Sequence, residues 1–149
     1  MVSVADGDTL TVLDEAQRQY KVRLSGIDAP ERRQAYGERA KQHLAALAHG
    51  KPARIVWDRN DRYGRLIGRV LVPECVGARC SYTLDVGLEQ IKAGFAWHYK
   101  RYAKDQPARD RWSYAVNELE ARARREGLWR DAEPVPPWQY RKPALAPVS

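Results

Sequence analysis

The hydrophobic pattern changes period along the chain, and that change limits the folds open to it. Apolar and polar residues alternate over residues 2–12, on either side of Asp6-Gly7, and again over 20–27, 53–57 and 66–72. A period of two marks strands with one buried face, and the polar stretch 58–65 with Gly64 reads as a hairpin connection. Elsewhere the spacing is helical. Ala40, Leu44, Leu47 and Ala48 share one face of residues 36–49, with Gly50 as a stop. A second, short helix is expected over 83–93, with Asp85 as N-cap, Leu88 and Ile91 on one face and Gly94 beyond its end. The longest periodic run is 107–126, where Trp112, Ala115, Leu119, Arg122 and Ala123 mark one face and Gly127 follows.

About five short strands interleaved with three helices make an α+β domain, and the strand-rich first half suits a small five-stranded β-barrel of the oligonucleotide-binding (OB-fold) type. A chain of 149 residues has room for one such core, burying roughly 70% of the surface its unfolded form exposes. Residues 1–132 are expected to form that domain. Residues 133–149 form a proline-rich, extended C-terminal tail that Trp138 and Tyr140 could dock on the body. No stretch approaches the ~20 apolar residues of a spanning helix, and the mean hydropathy of −0.67 agrees, so membrane insertion is not expected. A monomer is.

Lys and Arg number 26 against 19 acids, a net charge of +7, which favours polyanionic partners such as nucleic acid or anionic headgroups. Charge alone does not choose between them. Cys75 and Cys80 would close a short disulfide loop in an exported chain and stand as free thiols otherwise. They do not suggest zinc, because His43, His49 and His98 lack metal-ligand spacing. Met1 stands directly against residues that read as a strand, so the expectation is a chain trimmed of an export leader, secreted or periplasmic, with a cytoplasmic location left open.

Four acids fall at two tight turns, Asp6 and Asp8 in Asp6-Gly7-Asp8-Thr9, and Asp28 and Glu31 in Asp28-Ala29-Pro30-Glu31. If the strands bring these turns together, the carboxylates repel unless a cation neutralises them, and hard oxygen donors suit Ca²⁺ or Mg²⁺. The structural alternative is a hairpin turn and a helix N-cap with its capping-box glutamate. Arg23 lies on a strand five residues before Asp28, and Arg65 ends Asp61-Arg62-Tyr63-Gly64-Arg65. Guanidinium groups at such places could hold phosphate oxygens, or could simply be solvated surface charges.

These segments, in this order, resemble the three active-site segments of the staphylococcal nuclease (thermonuclease) family, and Glu126-Gly127-Leu128-Trp129 is similar to its C-terminal helix end. Three ordered motifs are far more specific than one. The resemblance implies a five-stranded OB-fold barrel with three helices, and an endonuclease that hydrolyses phosphodiester bonds of DNA, and of RNA as well, leaving 3′-phosphate ends. It implies that Asp8, Asp28 and the backbone carbonyl of Ala29 ligate Ca²⁺, with replacement by Mg²⁺ or Mn²⁺ left open, and that Asp6 stands just behind them. Glu31 matches the general base, and Arg23 and Arg65 the catalytic phosphate-binding pair. Tyr63, with Tyr99 or Tyr102, is the candidate for covering the bases, against core or surface packing of Tyr99 and Tyr102. The family archetype has a threonine in place of Ala29, and it has no counterpart of the Cys75–Cys80 insert or the tail. The competing function is a non-catalytic OB-fold module that binds nucleic acid without cutting it.

Overall fold

Turn residues interrupt the N-terminal alternation twice, so three strands follow one another as a meander: β1 (Val2–Asp6), β2 (Thr9–Leu13) and β3 (Gln19–Leu24). Val4 faces Leu10, Thr9 faces Arg23, and the register slips between Val4 and Asp6, so a bulge bends the chain beside the first acidic turn. Residues 2–103 and 106–141 of the chain, apart from the Tyr102 side chain, are described by this computed structural model. β4 (Ile27–Asp28) is two residues long, and α1 (Gly37–Ala48) then buries Ala40, Leu44 and Ala48. β5 (Arg54–Asn60) and β6 (Leu66–Val76) form the expected hairpin, and β6 also runs parallel to β3, with Arg23 opposite Ile67.

The strand order β1-β2-β3-β6-β5 gives the five-stranded path, to which β7 (Arg79–Asp85) adds on β6. After α2 (Val86–Lys92), the two-residue β8 (Trp97–His98) pairs with β4 and carries the end of the second acidic segment onto the helical side. α3 (Lys100–Ala103), α4 (Ala108–Ala123), a 3-10 turn (Gly127–Arg130) and α5 (Pro137–Tyr140) complete the fold. Three substantial helices on a strand-rich half make it the α+β, OB-type domain read from the pattern. Leu10, Val22, Leu24, Ile27, Leu44, Val70, Val72 and Ile91 are buried in one core, each contributing about 1.5–3 kcal/mol relative to exposure. Trp97, Leu128 and Trp129 form a second cluster, against which Trp138 of the tail packs.

Four expectations change or resolve. The second helix starts at Val86, because residues 83–85 belong to β7, and Asp85 caps it by accepting the N–H groups of Gly87 and Leu88. Residues 28–31 are not a helix start: Asp28 lies in β4, and α1 follows Tyr36, whose φ of 68° is left-handed. The buried face of α4 is Tyr114, Glu118 and Ala121, while Trp112 and Leu119 are 70% and 65% exposed. Hydrophobicity alone favoured that wrong stripe; α2 and β8, which α4 packs on, select the other. Cys75 and Cys80, opposite one another in the β6–β7 hairpin, form a disulfide. Among the described residues no helix is long and apolar enough to cross a membrane.

Candidate active site

Gly7 is the point where the two acidic turns meet. A Cβ placed on it would lie 2.7 Å from that of Ala40 and 2.8 Å from that of Ala29, inside the contact distance of close-packed carbons, so only glycine lets the first turn close on α1 and on the 28–31 segment. Gln90, fully buried on α2, fixes the same turn from behind. Its amide donates to the carbonyls of Gly7 and Ala40, both at 2.9 Å, and its Oε1 is paired with His43.

The carboxylates are then held by specific partners. Asp8 accepts the Ala29 N–H at 2.9 Å, which ties one turn to the other, and the Thr9 hydroxyl at 3.0 Å. Asp6 accepts the Asp8 N–H at 3.1 Å. Arg23 reaches down from β3, donating through Nη1 to the carbonyls of Leu24 and Ile27 at 2.9 Å each. Its Nη2 lies 3.4 Å from Asp8 and 3.3 Å from Asp28. Arg23 is therefore a wedged counter-ion as well as a group facing the cavity. The Asp28 side chain is wholly buried, and both its oxygens are engaged by Arg141 from the tail, at 2.5 and 3.2 Å. The same guanidinium pairs with Glu31.

Burial, reinforced by the neighbouring charge of Asp8, pushes the Asp6 carboxyl up to about 7. Burial would raise Asp8 too, but Arg23, Asp6 and the Ala29 and Thr9 donors outweigh it and hold that carboxyl low. Asp28 is raised, since burial with the repulsion of Asp8 exceeds what Arg141 and Arg23 restore. The arrangement is short of positive charge. Hard carboxylate oxygens in excess over their cationic partners are a donor set that suits a divalent cation. Among the described residues no three acidic, histidine or cysteine side chains are gathered closely enough to hold an ion.

Arg65 comes from the β5–β6 turn. Asp61 accepts the N–H groups of Tyr63 and Arg65 at 2.9 and 3.0 Å and the Arg65 Nε at 2.6 Å, so the arginine is aimed by its own turn and its Nη groups are the ones a phosphate would meet. Tyr63 is 70% exposed, with the Arg62 and Arg65 guanidinium carbons 5.0 and 5.7 Å from its ring centre. Tyr99 stacks on Trp138 at 5.0 Å; the Tyr102 side chain lies outside the described residues. Asp6, Asp8, Arg23, Glu31, Tyr63, Arg65 and Tyr99 all line one cavity of about 990 Å³. Sequence reasoning did not single out Gln90, Asp61 or Arg141. Asp61 stood inside a quoted motif and could have been found from its turn position; the other two act through contacts 83 and 113 residues away in sequence, for which no local signal exists.

An oligonucleotide-binding type of sheet beside an open cavity lined by carboxylates and anchored guanidinium groups is the setting of a protein that handles phosphodiesters. Residues 21–131 match the model of the staphylococcal nuclease homologues. The chain is 37% identical over 141 residues to an uncharacterized endonuclease of Escherichia coli, covering 95% of this chain and 82% of that protein. It is 38% identical over 143 residues to a micrococcal nuclease of Shigella flexneri (95% and 79%) and 36% identical over 142 residues to an uncharacterized endonuclease of Haemophilus influenzae (95% and 71%). The chain belongs to the staphylococcal nuclease family and is, by that membership, a hydrolase of the nuclease class. Nucleases of this family are in general metal-dependent.

Proposed function

We propose that the protein is a Ca²⁺-dependent endonuclease that hydrolyses phosphodiester bonds of DNA and RNA and leaves 3′-phosphate ends. The observation that carries this is the convergence on one guanidinium: Arg23 Nη2 lies within 3.4 Å of both Asp8 and Asp28, on a cavity whose wall also holds Glu31 and Arg65. Asp8, Asp28 and the Ala29 carbonyl would hold the ion, with Asp6 behind Asp8. A bound ion would supply polarisation of the phosphate and a site for the attacking water.

The chain's own groups do the rest. Glu31, on the wall of the cavity, takes a proton from the water as its oxygen bonds to phosphorus, and the bond from phosphorus to the 5′ oxygen breaks in line, that oxygen leaving as a 5′-hydroxyl with a proton from solvent. Arg65, fixed by Asp61, donates to the oxygens on which negative charge accumulates, and Arg23 does so from the opposite turn. Tyr63, exposed beside Arg65, offers a face to the base. The Cys75–Cys80 disulfide supports an oxidising location, periplasmic or extracellular, and we take the working unit to be a monomer.

The test incubates single- and double-stranded DNA and RNA with the protein in Ca²⁺, in Mg²⁺, in Mn²⁺ and in EDTA, beside Asp8→Asn/Glu31→Gln. Cutting in Ca²⁺ that disappears in EDTA and in the variant is expected, with 3′-phosphate on the products. Binding without cutting in every metal would replace this reading by the non-catalytic module.

A further inference from the structure

The tail is anchored as well as placed. Trp138 stacks on Tyr99 at 5.0 Å and meets Trp97 edge-on at 5.3 Å, Pro137 is buried, and the Gln34 amide donates to the Val135 carbonyl at 2.5 Å. α5 is one turn long, so this anchor delivers the next residue, Arg141, to a fixed place. There its two Nη groups grip Asp28 on both oxygens, 2.5 Å at Oδ2 and 3.2 Å at Oδ1, and one of them also holds Glu31. Asp28 Oδ1 already faces Arg23 at 3.3 Å. Both oxygens of Asp28 are thus engaged by guanidinium groups, and a metal ion, which must approach to about 2.3–2.6 Å, competes with Arg141 for them.

We infer that residues 133–141 are a tethered plug: Arg141 competes with the metal ion for Asp28 and occupies Glu31, so the site is closed until the ion displaces the guanidinium. This rests on the nuclease reading for the identity of the ion's ligands. Two cations on one carboxylate repel at such distances, and the Glu31 oxygen that Arg141 holds is turned to the guanidinium instead of to water. Trp138 keeps the displaced arginine close, so its effective concentration at the site stays high and the exchange is reversible. Arg141 and its anchor lie beyond the matched residues 21–131, and the residues they meet, Asp28, Glu31, Trp97 and Tyr99, lie within them.

Calorimetric titration of Ca²⁺ into the full chain, without nucleic acid, tests it on the wild type, Arg141→Ala, Arg141→Lys and Trp138→Ala. Arg141→Ala should bind Ca²⁺ roughly tenfold more tightly, the factor given by about 1.4 kcal/mol, and Arg141→Lys should fall between, since an ammonium cannot grip both oxygens. Trp138→Ala, which keeps the arginine and loses its anchor, should tighten binding as well, so the result does not hang on one variant. Equal or weaker affinity in Arg141→Ala would overturn the plug while leaving the nuclease reading intact. Failure of all four proteins to bind Ca²⁺ would overturn both.

Discussion

On the helical side of the molecule, Asp85 caps α2 and accepts the Tyr114 hydroxyl at 2.7 Å, while Glu118 accepts the His98 N–H at 2.5 Å and pairs with Arg122 at 3.3 Å and Lys100 at 3.7 Å. On the barrel side, among the described residues, Asp8, Asp28 and Glu31 meet Arg23 from the body of the domain and Arg141 from the tail, with Asp6 beside Asp8. Each group centres on a buried carboxylate, Glu118 in the first and Asp8 with Asp28 in the second. The first is completed by neighbours that fold with it, some only four residues away; the second is left with more acid than base and takes Arg141, 113 residues from Asp28, as a partner. Buried charge that a fold neutralises with adjacent side chains serves the fold, whereas buried charge left in excess is held ready for something that binds.

The largest break in that comparison is expected at Arg65. Arg65→Ala should lower turnover about 10²- to 10³-fold, the loss of about 2.7–4 kcal/mol of transition-state stabilisation, measured on a DNA substrate in saturating Ca²⁺. Its side chain is 31% exposed in a turn, so the thermal midpoint should barely move. A variant with unchanged turnover would remove Arg65 from the clamp.

The opposite pattern is expected on the helical side. Tyr114→Phe removes the donor to Asp85 and should cost about 1–3 kcal/mol of stability with turnover unchanged. The loss should also depend on pH. Burial raises the Asp85 carboxyl above its ordinary value of 3.8, against the hydrogen bonds of Tyr114, Leu88 and Gly87 and the charge of Arg69. A raised acid contributes stability that is complete below its unfolded value and is lost as pH rises through its folded one. Without Tyr114 the folded value rises further, so urea unfolding should show a larger penalty at about pH 7 than at about pH 4. A penalty equal at both would mean that Tyr114 does not act through the charge on Asp85.

Much of the site was legible because its residues sit where strands end, and turns announce themselves locally. Asp6-Gly7-Asp8, the 28–31 segment and the 61–65 turn could each be read as breaks in an alternation, and the structure brings all three to one cavity. α4 was legible as a helix but not in its orientation: it carries one stripe with Trp112 and Leu119 and another with Tyr114 and Glu118, and the choice between them is made by α2 and β8. β7 was missed because most of its residues are exposed, which leaves no alternation to see. Arg141 could not be found at all, since it reaches Asp28 only after Trp138 has docked on Tyr99 and Trp97.

The smallest effect is expected farthest from both polar groups, at the β6–β7 tip. Cys75 and Cys80 are five residues apart in sequence, and closing so short a loop would stabilise the fold by about 2 kcal/mol through the unfolded chain alone. That figure assumes that the loop stays ordered in the folded state once the link is cut. Val76 at the tip is 85% exposed, and residues 79–83 of β7 are exposed as well, so a reduced tip has little apolar contact to hold it. The entropy returned to the unfolded chain is then largely matched by entropy returned to a frayed tip in the folded one. Cys75→Ser/Cys80→Ser should therefore shift global urea unfolding by under about 1 kcal/mol while raising amide exchange only near the tip. A global loss of the full loop-closure amount would show instead that the tip remains ordered without its disulfide and unfolds together with the barrel.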